Sequence, residues 1–447
     1  MQQEHPLVRA RRVRNLERPD LARQVRTLSG ELGTQRWTGP DGVLRWEEGR
    51  TPDPETQRVL ARLFGIDPAL VDRRPWPAWL DADPLQEPPV FPWTAGGALC
   101  ALTETIGKED DMHRRTFITS SAAVTAALLQ WLTADPAAAE QILAGRRVGE
   151  SGVAAIERRV RELRRTDDED GGGTLVTDAG VALRMVVELL SNRSHTLAHG
   201  QRLYAAAADL SRIRAWAGFD VHGRCDDYTF TTALRCAHAA GDRDLGAHIL
   251  TFWAAAAYNC DRRVDAEAMA STAMASVHGK AAPRVQALVR SRRARARSHL
   301  GDDNCWEDLD LAEALLAEAA QQGADEDEPP WAYWFDLHEL QGARASTQLT
   351  MGRPAEAEAT FAASALAFEG DAQRTRSVYL VRQADAQRQQ GHLEQACATA
   401  NQALDITDEI SSHRTTEPLR DLARDMRLHS AVPAVHALRE RIADLRG

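Results

Sequence analysis

The chain has 447 residues, too many for one compact core, so two to four domains are expected. Hydrophobic residues make up 43% and aromatics only 6%, with alanine abundant, which favours packed helices over a β-sandwich. The net charge of −11 excludes a chain coated along its length with nucleic acid, yet residues 1–80 hold 14 arginines against 11 acidic residues, a small basic head on an acidic body.

The head, residues 1–75, reads as a run of short helices. Ala10, Val13 and Leu16 are spaced three apart, as on one helix face. Pro19-Asp20 opens a second helix, PDLARQVRTL, with proline near its first position and an acid in its first turn. Gly39-Pro40-Asp41 opens a third, PDGVLRWEE, which stops at Gly49. After the turn Thr51-Pro52-Asp53-Pro54, the stretch PETQRVLARLFG carries Val59, Leu60, Leu63 and Phe64 and ends at Gly65.

Trp46-Glu47-x-Gly49-x-x-Pro52, followed by Leu60-Ala61-x-Leu63-x-Gly65-Ile66, resembles the Cro/repressor (xenobiotic-response-element) class of helix-turn-helix domains. The resemblance implies that the tryptophan buries the end of a recognition helix and that the glycine takes a left-handed turn. It implies that helix 40–48 enters the major groove, with Asp41, Gly42 and Arg45 facing base edges. Arg36, Thr38 and Arg50, with Arg18 and Arg23 on the preceding helix, would then sit near phosphate. Ala22 and Trp46 are 24 residues apart, farther than the family places them, so residues 28–38 read as an insertion.

Residues 76–111 read as a linker. Its first part, PWPAWLDADPLQEPPVFPW, carries six prolines and three tryptophans (75–93), which favours extended chain whose tryptophans dock on a neighbour. Residues 112–200 read as a helical connector. Met112-His113-Arg114-Arg115-Thr116-Phe117-Ile118 and the apolar run after it resemble a twin-arginine export signal. The motif is internal and the run Ile118–Leu132 is too short to span a bilayer, so a buried helix is expected there. DDEDGGG (167–173) reads as a flexible break.

Residues 201–447 carry a repeat. Turn signals recur at Gly223, Asp261-Arg262, Gly301-Asp302, Gly352-Arg353-Pro354 and Gly391-His392. Seven residues before each of the last four stands alanine: Ala254, Ala294, Ala345 and Ala384. Five residues after three of them stands alanine again: Ala266, Ala357 and Ala396, with Trp306 in the fourth place. Small residues in both helices of a hairpin let the backbones approach. Over roughly residues 205–410 this resembles the tetratricopeptide repeat, whose large residue Phe361 also matches, with a longer period than usual. The expected fold is all-α: the head joined through the linker to a right-handed α-solenoid of tetratricopeptide-like helix pairs, closed by a helical cap over 415–446.

The repeat resemblance implies inward positions at −13, −10, −6, −3 and −2 from each turn. They include His248, Thr251, Tyr258, Asn259, Ser291, Arg295, Ser298, His299, Glu339, Ser346, Asp385 and Arg388. Such a polar groove suits an extended peptide or a small molecule; a solvated face with no ligand is the alternative. Trp331, Tyr333, Trp334 and Phe335 could wall a pocket or plug the irregular repeat junction.

Little else carries chemistry. His195-x-x-x-His199 has zinc-site spacing but lacks the glutamate and cysteine neighbours such sites use. There is no phosphate-binding glycine loop and no nucleophile motif, so no active site and no cofactor are expected. The six cysteines, with no C-x-x-C, fit a reducing cytoplasm, and the first residues lack the apolar stretch of a signal peptide. In layout the chain is similar to actinobacterial regulators that join a repressor-type domain to such repeats. That implies a homodimeric transcriptional regulator partnered by a double-stranded DNA operator and a peptide or small-molecule effector, with no membrane partner. The rival is a tetratricopeptide scaffold for protein partners whose helix-turn-helix no longer binds DNA.

Overall fold

A computed structural model describes residues 5–13, 17–31, 39–64, 71, 75–81, 91–107, 121–134, 146–169, 172–277, 281–322, 328–367, 373–407 and 413–445. They fall into two compact units, one holding the described residues up to 81 and one holding those from 91 onward. Both are helical, apart from a two-residue parallel pairing of 146–147 with 193–194 in the second.

The first unit contains α1 (Pro6–Val13), α2 (Arg18–Glu31), α3 (Pro40–Glu47) and α4 (Pro54–Leu63). Proline stands at the start of α3 and α4, where its missing N–H costs nothing, and the Asp53 carboxylate caps α4 by accepting from the Thr56 N–H at 3.1 Å. Gly49 ends α3 with φ 102°, a left-handed turn that disfavours a side chain. Leu7, Leu21, Val25, Val43, Trp46 and Leu60 form the core, and Trp79 joins them.

Trp79 docks as expected of the proline-rich stretch, but from a folded turn within the first unit rather than from extended chain. Residues 78–81 make a 3-10 turn that buries the Trp79 ring completely. Its indole N–H donates to Gln57 Oε1 at 3.0 Å, and the Gln57 amide donates to the Pro52 carbonyl at 2.8 Å. An indole buries well only when its N–H finds such an acceptor.

The second unit begins with α5 (Ala95–Gly107), α6 (Ser121–Thr133), α7 (Glu150–Glu169) and α8 (Leu175–Asn192). The sequence reading had put α5 in the linker; here Ala98 and Leu102 are buried in the main core. It had also treated Asp167 and Asp168 as a flexible break, but α7 continues through Glu169. The arginine pair of the export-like motif lies outside the described residues. The helix after it, α6, packs into the unit: Val124, Leu128 and Trp131 are buried. Trp131 packs so close to α11 that a Cβ on Gly246 would fall 2.1 Å from its ring. Among the described residues no helix is long and apolar enough to cross a membrane.

Helix pairs follow: α9 (Leu197–His222) with α10 (Asp227–Ala240), α11 (Arg243–Asn259) with α12 (Arg263–Val277), and α13 (Pro283–Ser298) with α14 (Cys305–Gln322). Then come α15 (Leu337–Thr350) with α16 (Pro354–Ala367), and α17 (Gln373–Gln389) with α18 (Leu393–Thr407). The residues joining the two helices of each pair, Gly223, Asp261, Gly301, Gly352 and Gly391, all have positive φ, between 61° and 83°. Gly241, between pairs, does the same at 75° and was not singled out from sequence. The seven alanines at fixed offsets from these turns are fully buried, as is Phe361. At such a contact a larger side chain would force the helices apart, at about 1–3 kcal/mol. The last helices, α19 (His413–Asp425) and α20 (Pro433–Ala443), share a core with α17 and α18.

Candidate functional site

The two groups of expected site residues lie in different units. In the first unit, α3 buries Val43, Trp46 and Glu47 and leaves Asp41 and Arg45 exposed. Gly42 is half-buried and Arg50 is exposed just past the Gly49 turn. Arg45 donates from Nε to the Asp41 carbonyl at 3.2 Å. Arg18 is committed elsewhere: its Nε donates to Glu47 Oε2 at 2.6 Å, while Arg11 donates to Oε1 at 2.9 Å. The buried Glu47 carboxylate thereby ties α1, α2 and α3 together. Arg23 pairs with Asp20 at 2.9 Å on the surface of α2. Arg36 and Thr38 lie outside the described residues.

In the second unit, the first helices of successive pairs surround a partly open cavity of about 180 Å³. His248, Tyr258, Asn259, Ser291, Arg295, Glu339 and Ser346 all line it. Five expected groove residues do not: Thr251, Ser298, His299, Asp385 and Arg388. Thr251 is fully buried and donates to the His248 carbonyl at 2.7 Å. Asp385 and Arg388 pair with each other at 2.7 Å, and Arg388 also reaches Asp425 at 3.4 Å. Of the flanking residues, His299 stacks on Tyr258 at 4.8 Å and Ser298 accepts from Arg295 at 3.1 Å. Trp331, Tyr333, Trp334 and Phe335 wall the cavity as well as filling the junction.

Sequence reasoning missed several lining residues. Phe252, Arg292, Ala343 and Arg382 each stand nine residues before a turn, a position the repeat resemblance did not include. The same periodicity could have found them. Arg164, Asp167 and Asp168 from α7, Arg212 and Trp216 from α9, and Arg414 from α19 carry no such signal.

Charge is distributed unevenly around the cavity. Arg164 and Arg212 both grip the buried Asp209, Arg212 at 2.9 Å, and Arg414 pairs with the buried Asp220 at 3.0 Å. Two effects oppose each other on Asp209: its own burial raises the carboxyl, and Arg164 and Arg212 outweigh this and hold it far below the usual range. Among the described residues, Arg292, Arg295 and Arg382 have only neutral acceptors. Arg292 donates to the Tyr258 hydroxyl at 2.9 Å, Arg382 to the Ser346 hydroxyl at 2.7 Å, and Arg295 to Ser298 and Thr350. Burial pulls the Arg295 guanidinium down to about 10, with Arg382 and Arg292 adding to the fall. Burial likewise lowers Arg382. Tyr258 is pushed up by burial, but Arg292 and Arg295 outweigh this and hold it below its ordinary value. Burial, then Asp336, pushes the Glu339 carboxyl up to about 7 against Arg292 and Arg414.

His199 faces Glu150 at 3.2 Å, and Arg202 bridges Glu150 and Glu157. Among the described residues no cluster of histidine, cysteine or carboxylate side chains could hold a metal ion. The chain matches no family model, no curated protein and no solved structure.

Proposed function

We propose that the chain is a DNA-binding transcriptional regulator whose helix-pair body, a tetratricopeptide-like solenoid, senses an effector. The head supports this reading through α3. One face is buried through Val43 and Trp46, and the other presents Asp41 and Arg45, with Arg50 exposed at its end. A short helix anchored in this way, with an exposed polar face, suits insertion into a major groove. The body supports it through the cavity, which draws residues from several helix pairs and would couple a bound molecule to their spacing. Two heads in a dimer would meet half-sites about one helical turn apart, and a change in the body would alter that match.

One observation favours the second reading, a protein-binding scaffold. Arg18 and Arg23 are held by Glu47 and Asp20, which leaves fewer cations for phosphate. Selection from a random DNA pool with full-length protein separates the two. The regulator reading expects an enriched motif that Arg45→Ala with Arg50→Ala loses, and affinity that falls steeply with salt as phosphate contacts release counterions. No enrichment by a folded chain, with or without added effector, favours the scaffold.

A further inference from the structure

We propose that the cavity of the second unit is a binding site for a small aromatic organic anion, a carboxylate or phosphate monoester, held by Arg292, Arg295 and Arg382. The inference rests on the reading of the body as a sensor and names the chemistry of what it senses.

The first argument is charge. Among the described residues none of these three guanidinium groups is ion-paired with a carboxylate, although Arg295 is buried and Arg292 and Arg382 are half-buried where they line the cavity. Buried cations are ordinarily paired, because losing hydration costs several kcal/mol, on the order of what a counter-ion returns. The same cavity shows the ordinary solution: Arg164, Arg212 and Arg414 each have a buried aspartate. The carboxylates on the wall do not pair with these three arginines: Asp167 faces Arg212 at 3.6 Å, Asp168 accepts from the Tyr333 hydroxyl, and Glu339, raised to about 7, carries only part of a charge at pH 7. Three guanidinium groups on α13 and α17 therefore await an anion, and their planar forks match carboxylate and phosphate oxygens.

The second argument is the apolar wall. Trp331 stacks on His248 at 4.1 Å, and Trp334 meets Phe252 edge-to-face at 5.8 Å. A flat ring has faces to pack on here. The third is an orphan. His248 is 1% exposed, lines the cavity, and its Nδ1 has no hydrogen-bond partner. Burial holds this imidazole neutral, so it offers a directional polar contact between the aromatic wall and the arginines. A site with convergent polar groups in an aromatic-lined cavity is the common form of a small-molecule pocket.

The test uses the full chain and the quenching of its tryptophan fluorescence. The probes are naphthalene-1-acetate, 1-naphthyl phosphate, the neutral naphthalene-1-acetamide and inorganic phosphate. Both aromatic anions should bind at least tenfold more tightly than the amide, and inorganic phosphate alone should bind weakly. Arg382→Gln with Arg292→Gln should abolish that preference while leaving the circular dichroism unchanged. Equal affinity for acid and amide, or binding of neither anion at 10 mM, overturns the proposal on the wild-type chain, whether or not the variant folds. Binding of inorganic phosphate as tightly as the aromatic anions would overturn the aromatic half. DNA is absent throughout, so failure here leaves the operator selection untouched, and failure of that selection leaves this pocket standing.

Discussion

Arg414 on α19 and Asp220 on α9, 194 residues apart in the chain, form an ion pair at 3.0 Å with the carboxylate fully buried. The contact brings the closing helices of the second unit back to its first pair. Arg414 also covers the Trp216 ring at 4.8 Å, so the same side chain completes the cavity wall. Arg414→Ala removes the guanidinium from a buried carboxylate and should cost about 2–4 kcal/mol. Hydrogen exchange should speed up first in residues 413–425. Asp220→Asn combined with Arg414→Gln should lose less than the two single changes added together, because neither partner then carries a buried charge.

Glu339 makes stability depend on pH. Its carboxyl is raised to about 7 in the folded chain against 4.5 for a free glutamate, by burial, by Asp336 and by Asp168, against Arg292 and Arg414. The folded state therefore holds this proton more tightly than the unfolded state. Stability must fall as pH rises from about 4.5 through 7 and then level off. Glu339→Gln keeps the neutral form at every pH. The melting temperatures of variant and wild type should converge at about pH 4 and separate at pH 8, with the variant ahead by about 1–3 kcal/mol. A parallel pH profile for both proteins would contradict this.

Gly342 on α15 is a steric requirement. A Cβ there would fall 1.9 Å from the Tyr379 hydroxyl oxygen and 2.1 Å from Cζ. Gly342→Ala must push Tyr379 and α17 outward, at about 1–3 kcal/mol despite the better helix propensity of alanine. Tyr379→Phe should rescue little of the loss, since the ring carbon clashes as well. Thermal melts of the two single variants and the double variant check this.

The arginines of the head should divide by partner. Arg50→Ala should weaken DNA binding and flatten the salt dependence by about one unit of slope, as loss of a phosphate contact does, whereas Arg45→Ala should relax the sequence preference. Glu47→Ala acts differently. It leaves Arg11 buried and frees Arg18, and should cost the head about 2–4 kcal/mol. Exchange protection would drop over residues 5–64 and stay unchanged beyond 200.

Local chemistry in the sequence determined much of this molecule. Glycine and Asp261 at the positive-φ turns fixed where each helix pair folds over, because few other residues take that conformation cheaply. Alanine at fixed offsets from those turns set which faces pack closely. With those two signals, seven of the twelve expected groove residues fall on one cavity. Asp385 and Arg388 obey the same periodicity yet neutralise each other outside it, because a charge pair is settled by neighbours rather than by spacing. The tertiary structure alone decided the rest. It brought α7 and α19 to the cavity, chose Gln57 as the partner of the Trp79 indole, and, among the described residues, left Arg292, Arg295 and Arg382 without a carboxylate partner. None of these follows from a period of 3.6, since each depends on contacts between segments that no local pattern links.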